Sequence, residues 1–229
     1  MENPIITVII PAYNEEKSIG KVVEDIPRDI VSHVIVVNNN SNDSTVQVAN
    51  DAGAIVLDEE HRGYGWACLK GIEHSKTLNT EIVVFLDGDY SDYPQEIPDI
   101  IAPILSDQMD MVIGSRVLGK REKGSLTPQQ VFGNWLATKL IRLFYRTKFT
   151  DLGPFRAIKA EKLETLKMSD KTYGWTIEMQ IKAAKHKMKF CEVPVNYKKR
   201  IGVSKVSGTL KGTLFAGIKI IFAVFKYRF

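Results

Sequence analysis

Two aspartates separated by a glycine, Asp87-Gly88-Asp89, follow directly on the apolar run Val83-Val84-Phe85-Leu86. A buried strand ending there would project both carboxylates from its carboxyl end. Hard oxygen ligands of this kind suit Mg²⁺ or Mn²⁺, which keep several waters and bridge substrate phosphates. Without a cation, two buried carboxylates side by side would force at least one to take up a proton. A second cluster, Pro11-Ala12-Tyr13-Asn14-Glu15-Glu16, follows the first apolar run and presents an aromatic ring beside carboxylates. Glu15 and Glu16 would equally suit the positive end of a following helix. A third, Asn38-Asn39-Asn40-Ser41-Asn42-Asp43-Ser44-Thr45, offers donors and acceptors able to read the edge of a nucleobase. Asp43 or Ser44 would cap the next helix, a task that needs only one or two of these residues.

These clusters matter because of the elements before them. Ile5 to Ile10, Val34 to Val37, Ala54 to Leu57, Ile82 to Leu86 and Met111 to Gly114 are short, β-branched and apolar. Ser18 to Ile26, Ser44 to Ala52, Gly65 to Ser75 and Pro94 to Leu105 lie between them with helical patterning. Continuous apolar strands alternating with helices predict an α/β domain with a mostly parallel sheet covered on both faces. Ligands of such sheets lie in the crevice beyond the carboxyl ends of the strands. The three polar clusters, together with Ser115-Arg116, all follow predicted strand ends.

The second half has another character. Pro128 to Tyr145 places Phe132, Trp135, Leu136, Leu140, Leu143 and Phe144 at helical spacing, interleaved with Lys139, Arg142 and Arg146. Phe190 to Tyr197 is expected to be a strand, antiparallel and near an edge because of Pro194. Thr209 to Phe229 is apolar but broken by Lys211, Lys219 and Lys226, so no stretch approaches the roughly 20 residues of a membrane span. Its pattern suits a helix lying in a membrane interface, or a core helix with snorkelling lysines. A catalytic domain over 1–208 and an appended helix over 209–229 are the expected divisions.

Charge separates the halves further. Met1 to Ser115 holds 6 Lys and Arg against 20 Asp and Glu, a net of −14, and the remainder holds 25 against 7, a net of +18. An acidic half suits a cation and a basic half suits anions. No helix-turn-helix, zinc-finger or RNP-like pattern supports nucleic acid as the partner. Cys68 and Cys191 stand alone, which argues against a disulfide framework or zinc site and for a reducing compartment. The opening MENPIITVIIP reads as a strand and not as a signal peptide. A glycine-rich dinucleotide fingerprint, a phosphate-binding P-loop and a GxSxG elbow are all missing.

PAYNEE, VNNNSNDST, FLDGD, IGSR, TDLGPFRAI and RIGVSK occur in the order seen in glycosyltransferase family 2. The resemblance runs from Ile5 to about Gly208 and is greatest to the polyprenyl-phosphate sugar transferases, the dolichyl-phosphate glucose and mannose synthases. GPFRAI and GWTIEMQ look more like the glucosyl subgroup. The resemblance implies a GT-A-type fold, a nucleotide-sugar donor and a Mg²⁺ or Mn²⁺ cofactor. It implies that Pro11, Ala12, Tyr13 and Glu15 flank the nucleotide, with Asn39 near the base. Asp87 and Asp89 match the carboxylates that hold nucleotide and metal, and Arg116 a residue close to an acceptor phosphate. Arg200 and Lys205 match a mobile basic loop over the phosphates. Three departures stand out: Asn38 and Asn39 where aspartates are common, Ser91 with Asp92 beside it where a glutamine ligand occurs, and Gln129-Gln130 in place of an arginine.

The activity so implied is inverting transfer of a hexose, foremost glucose from UDP-glucose, onto a polyprenyl phosphate. Peripheral attachment to the cytoplasmic face of a membrane goes with it. A GDP-mannose donor and a sugar-hydroxyl acceptor are the alternatives within the family. A hydroxyl acceptor needs a base, and Glu178 in GWTIEMQ matches the region where relatives carry one; with a phosphate acceptor it would orient the donor sugar. A sugar-nucleotide pyrophosphorylase would carry a glycine-rich basic loop where this chain has PAYNEE. A non-catalytic membrane-binding protein would leave Asp87 and Asp89 unexplained.

Overall fold

The computed structural model describes residues 4–202 and 222–227. Its strands and helices alternate as β1 (Ile6–Ala12), α1 (Ile19–Glu24), β2 (His33–Asn38), α2 (Thr45–Asp51), β3 (Ile55–Asp58), α3 (Tyr64–Thr77), β4 (Ile82–Phe85), α4 (Ile97–Leu105) and β5 (Met111–Ser115). The long helix α5 (Pro128–Tyr145) follows, then β6 (Arg156–Lys159), α6 (Ala160–Leu166), α7 (Trp175–Lys185) and β7 (Phe190–Pro194). The seven strands form one sheet in the order β3-β2-β1-β4-β6-β5-β7. Pairs β1–β2, β2–β3, β1–β4 and β5–β7 are parallel, and β6 runs antiparallel to both β4 and β5.

Burial on both faces explains the unbroken apolar runs. Val8, Ile10 and Val84 point to one side, where Ile19, Val22 and Val23 of α1 and Ile97, Ile100 and Ile101 of α4 cover them. Ile9, Val83 and Phe85 point to the other, against Ala67 and Cys68 of α3, Ala137 and Ile141 of α5, and Trp175 and Ile181 of α7. Helix α5 begins with a full capping box, Thr127 accepting from the Gln130 N–H while the Gln130 side chain accepts from the Thr127 N–H.

Two sequence-based expectations need correction. Strand β7 sits at the sheet edge as expected, but it runs parallel to β5, not antiparallel. Strand β6 lies in the middle of the sheet and was not expected as a strand at all. Of the last segment, residues 222–226 are helical, and Ala223 and Val224 are buried while Phe222 and Phe225 are exposed. Its contacts run to α5 and α7: the Tyr145 hydroxyl donates to the Val224 carbonyl at 2.5 Å, the Phe144 and Phe225 rings meet at 5.1 Å, and the Lys185 ammonium donates to the Tyr227 carbonyl at 2.7 Å. Among the described residues no helix is long and apolar enough to cross a membrane.

Candidate active site

Strands β1, β2 and β4 are parallel neighbours, so the three polar clusters emerge side by side at their carboxyl ends. The first two are stitched together. Asn14 takes a left-handed conformation, φ 54°, that turns the chain after β1, and its Oδ1 accepts from the Asn42 N–H at 2.9 Å. The Glu15 N–H donates to Thr45 Oγ1 at 2.8 Å, and Asp43 accepts from the N–H groups of Glu16 and Thr45. Asp43, not Ser44, therefore supplies the side-chain oxygen at the start of α2. Pro11 and Tyr13 are half-buried beside this turn, whereas Ala12 and Glu15 are buried. The Arg62 guanidinium covers the Tyr13 ring at 4.8 Å.

Asn39, expected near the base, has its side-chain amide bonded within the protein. Its Nδ2 donates to the carbonyls of Glu59 and His61 at 3.3 and 2.7 Å, and its Oδ1 accepts from the Gly63 N–H at 2.7 Å. The amide is spent on the backbone of 59–63 and orders that loop. Asn38 is spent likewise, donating to Asp58 and accepting from the Ser41 N–H. Loop 59–65 was not singled out in the sequence, yet it reaches the strand ends, with Arg62 over the Tyr13 ring and Tyr64 near Asp87. Gly63 and Gly65 are required there, because a Cβ on either would stand about 2 Å from a backbone carbonyl, of Lys171 and Asp170 respectively.

Asp87 and Asp89 lie past β4. Asp89 is 3% exposed; its Oδ1 accepts from the N–H and hydroxyl of Ser91, and its Oδ2 meets Arg200. The basic segment is laid along this turn by backbone bonds, Ile201 N–H to the Asp89 carbonyl and Lys198 N–H to that of Ser91, both at 2.9 Å. Arg200, expected on a basic loop over the phosphates, thus lies against Asp89. Lys205 lies outside the described residues. Burial, then the charge of Asp89, pushes the Asp87 carboxyl up to about 7, against the pull of Arg200. The Tyr64 hydroxyl turns toward Asp87 without a well-formed hydrogen bond. Tyr64 Oη, Asp87 Oδ1 and both oxygens of Asp92 are buried with no partner among the described residues.

That pattern fits a divalent cation. Orphaned carboxylate oxygens in a buried acidic pocket are what a hard cation would satisfy. Among the described residues no three His, Cys, Asp or Glu side chains are grouped to share one ion. Asp87 and Asp89 would hold it, leaving the remaining positions to phosphate oxygens and water.

Arg116 and Glu178 are both held by partners inside the protein. Arg116 forks onto Asp151, Nε at 2.8 Å and Nη2 at 2.7 Å, and stacks on the Tyr197 ring at 5.1 Å. Its charge is matched inside the protein, and only the Nη1 edge is turned away from Asp151. Glu178 is fully buried. Its carboxylate accepts from the N–H and hydroxyl of Ser169, the N–H of Asp170 and the Lys182 ammonium. Burial alone would raise its pKa, but these donors outweigh it and hold the carboxyl below its ordinary value. A carboxylate so engaged clamps the 169–172 loop, whose Lys171 carbonyl in turn accepts from the Trp66 N–H. It is neither a surface residue nor a base presented to the crevice. Arg156 was also missed: wholly buried, it donates to the carbonyls of Thr176, Leu152 and Gly153.

Residues 7–167 match the family described as glycosyl transferase family 2. An uncharacterised glycosyltransferase of Mycobacterium tuberculosis is 33% identical over 94% of this chain and 96% of its own length. A UDP-N-acetylglucosamine–dolichyl-phosphate N-acetylglucosaminyltransferase of Methanococcus voltae is 28% identical over 85% of this chain and 86% of its own. The fold is shared with glucosyl-3-phosphoglycerate synthase of M. tuberculosis, a structure holding Mn²⁺, UDP and glucosyl-3-phosphoglycerate. It superposes with a TM-score of 0.77 over 98% of this chain and 80% of that one, at 21% identity. The architecture is the expected GT-A type.

Proposed function

The chain belongs to glycosyltransferase family 2, and from that premise we propose that it transfers glucose from UDP-glucose to a polyprenyl phosphate with inversion. The observation that carries this reading is the contact of Asp89 with Arg200. It joins the acidic end of β4 to the basic 197–202 segment, so cation-holding and phosphate-holding groups meet at one point. The M. voltae relative, named for a UDP-sugar donor and a dolichyl-phosphate acceptor, supports the same substrate classes. Loss of the diphosphate leaving group develops negative charge, which a divalent cation stabilises when bound. Asp87 and Asp89 would hold that cation, while Tyr13, Glu15 and the Asn39-ordered loop wall the nucleotide.

An oxygen of the acceptor phosphate forms the new bond to the anomeric carbon as the bond to the donor diphosphate breaks on the opposite face. UDP leaves with the bonding electrons. Arg200 and Lys205 are the cations suited to that departing charge, arginine by its forked geometry. An ionised phosphate needs no proton removed, so the commitment of Glu178 to Ser169, Asp170 and Lys182 is no obstacle. A hydroxyl acceptor would need a base that Glu178 is poorly placed to be. The Nη1 edge of Arg116 is the part available to an acceptor phosphate.

A lipid acceptor requires a membrane, and α5 offers a surface for one. Phe132, Trp135 and Leu143 are 60%, 53% and 70% exposed, with Lys139, Arg142 and Arg146 among them. No Asp or Glu occurs from Lys123 to Thr150. Exposed aromatics among cations suit an anionic lipid surface, consistent with peripheral attachment at a cytoplasmic face. The test is a matrix of sugar nucleotides against polyprenyl phosphate, sugar hydroxyls and phosphoglycerate, read by product mass. A hexose added to polyprenyl phosphate from UDP-glucose is expected; transfer confined to hydroxyl acceptors would overturn the reading.

A further inference from the structure

Asp92 is the buried carboxylate that the fold leaves unexplained. It is 2% exposed, and neither oxygen has a hydrogen-bond partner among the described residues. Asp87 leaves one oxygen, Oδ1, without a partner, and the other buried carboxylates among the described residues are engaged. Glu15 accepts from Ser18, Asp89 from Ser91 and Arg200, Asp151 from Arg116, and Glu178 from Ser169, Asp170 and Lys182. A buried acceptor left unmade forfeits its hydration and receives nothing back. Asp92 therefore weakens the fold as it stands, and native cores keep such groups chiefly where a ligand, ion or water completes them.

Its surroundings say which. Beyond its burial, the carboxylates of Asp87, Asp89 and Asp151 repel a charge on Asp92, and Arg116 attracts it. A phosphate would be repelled there, and Arg116 has its fork committed to Asp151. The position is also fixed: Ser91 is tied by N–H and hydroxyl to Asp89, and its carbonyl accepts from the Lys198 N–H. Asp92 is not grouped tightly enough with Asp87 and Asp89 to share one ion directly. A divalent cation held by two carboxylates keeps several waters, and those waters donate hydrogen bonds that need acceptors.

We propose that Asp92 is the outer carboxylate of the cation site, accepting hydrogen bonds from waters bound to the ion held by Asp87 and Asp89. The inference rests on the reading of those two residues as the cation's ligands. Outer partners of this kind tune affinity about 10–100-fold. The test is D92N, with D92A as a second variant, titrated with Mn²⁺ in the presence of UDP and followed by the paramagnetic resonance of free Mn²⁺. Metal-free thermal unfolding is measured alongside. Mn²⁺ binding weakened about tenfold or more, with metal-free unfolding at or above the wild-type temperature, is expected. A change below about threefold, or a metal-free variant that melts well below wild type, overturns the proposal, the second by revealing an ordinary structural role. Should the wild type itself bind no Mn²⁺ with UDP, the reading of Asp87 and Asp89 falls too; if only D92N matches a binding wild type, the failure belongs to Asp92 alone.

Discussion

Replacing Glu178 by Gln separates a structural clamp from a catalytic base. The carboxylate accepts from two donors on Ser169, one on Asp170 and the Lys182 ammonium. An amide keeps one acceptor oxygen and turns two N–H donors toward groups that are themselves donors. At least two hydrogen bonds to a charged group are lost, each about 1.5–3 kcal/mol. Lys182, with 16% of its side chain exposed, loses its counter-ion. Breaking a buried pair from one side costs about 3–5 kcal/mol. For a domain of this size, 1 kcal/mol is about 2–4 °C, so the variant should melt about 10 °C lower. Its turnover, measured well below that melting point, should stay within about tenfold of wild type. The pH dependence carries a sign. Because the folded-state pKa lies below the ordinary 4.5, the stabilisation is present above that value and is lost as pH falls through the folded one. The gap between wild type and E178Q should therefore close in acid. Thermal melts across pH and steady-state rates test both. An unchanged melt with turnover reduced about 10³-fold, the range expected of a positioned base, would refute the clamp.

Four further outcomes follow from the geometry. D89A should abolish Mn²⁺-dependent UDP binding, seen by titration calorimetry, with the circular dichroism spectrum unchanged. R200A should lower kcat/KM about tenfold or more, since a hydrogen bond to a charged group is worth about 1.5–3 kcal/mol, and a rate equal to wild type would make the 197–202 segment mere surface. N39A leaves the Gly63 N–H and the Glu59 and His61 carbonyls unpaired; it should cost about 1–3 kcal/mol in denaturant unfolding and raise the Kd for UDP. F132D/W135D should abolish flotation with anionic liposomes without lowering the melting temperature, and wild-type flotation should weaken with salt.

The sheet was legible because its strands are buried on both faces, which writes continuous apolar runs such as Val34 to Val37 into the sequence. Strand β6 was not, since Arg156-Ala157-Ile158-Lys159 is four residues long and begins and ends with a cation. Arg156 is buried there because backbone carbonyls receive it, two from the turn just before it, Leu152 and Gly153, and one from Thr176 at the start of α7. The direction of β7 depends on its partner, β5, and nothing between Phe190 and Pro194 encodes that. At the site, the acidic end of β4 was legible in FLDGD, the basic loop only through the family resemblance, and their contact only in the fold. The work of Asn39 and Glu178 was not legible, because polarity shows that a side chain needs partners but not which ones. A glutamate in the first turn of α7 reads as surface until Ser169 and Asp170 fold back upon it.

The most direct test of the central claim follows labelled hexose from UDP-glucose into polyprenyl phosphate with Mn²⁺, comparing wild type, wild type in EDTA, and D89N. The account predicts labelled lipid with the first and none with the other two, D89N being folded in each case. Lipid labelled equally in EDTA or by D89N would contradict it, because Asp87 and Asp89 would then not be the groups that hold the cation and the donor.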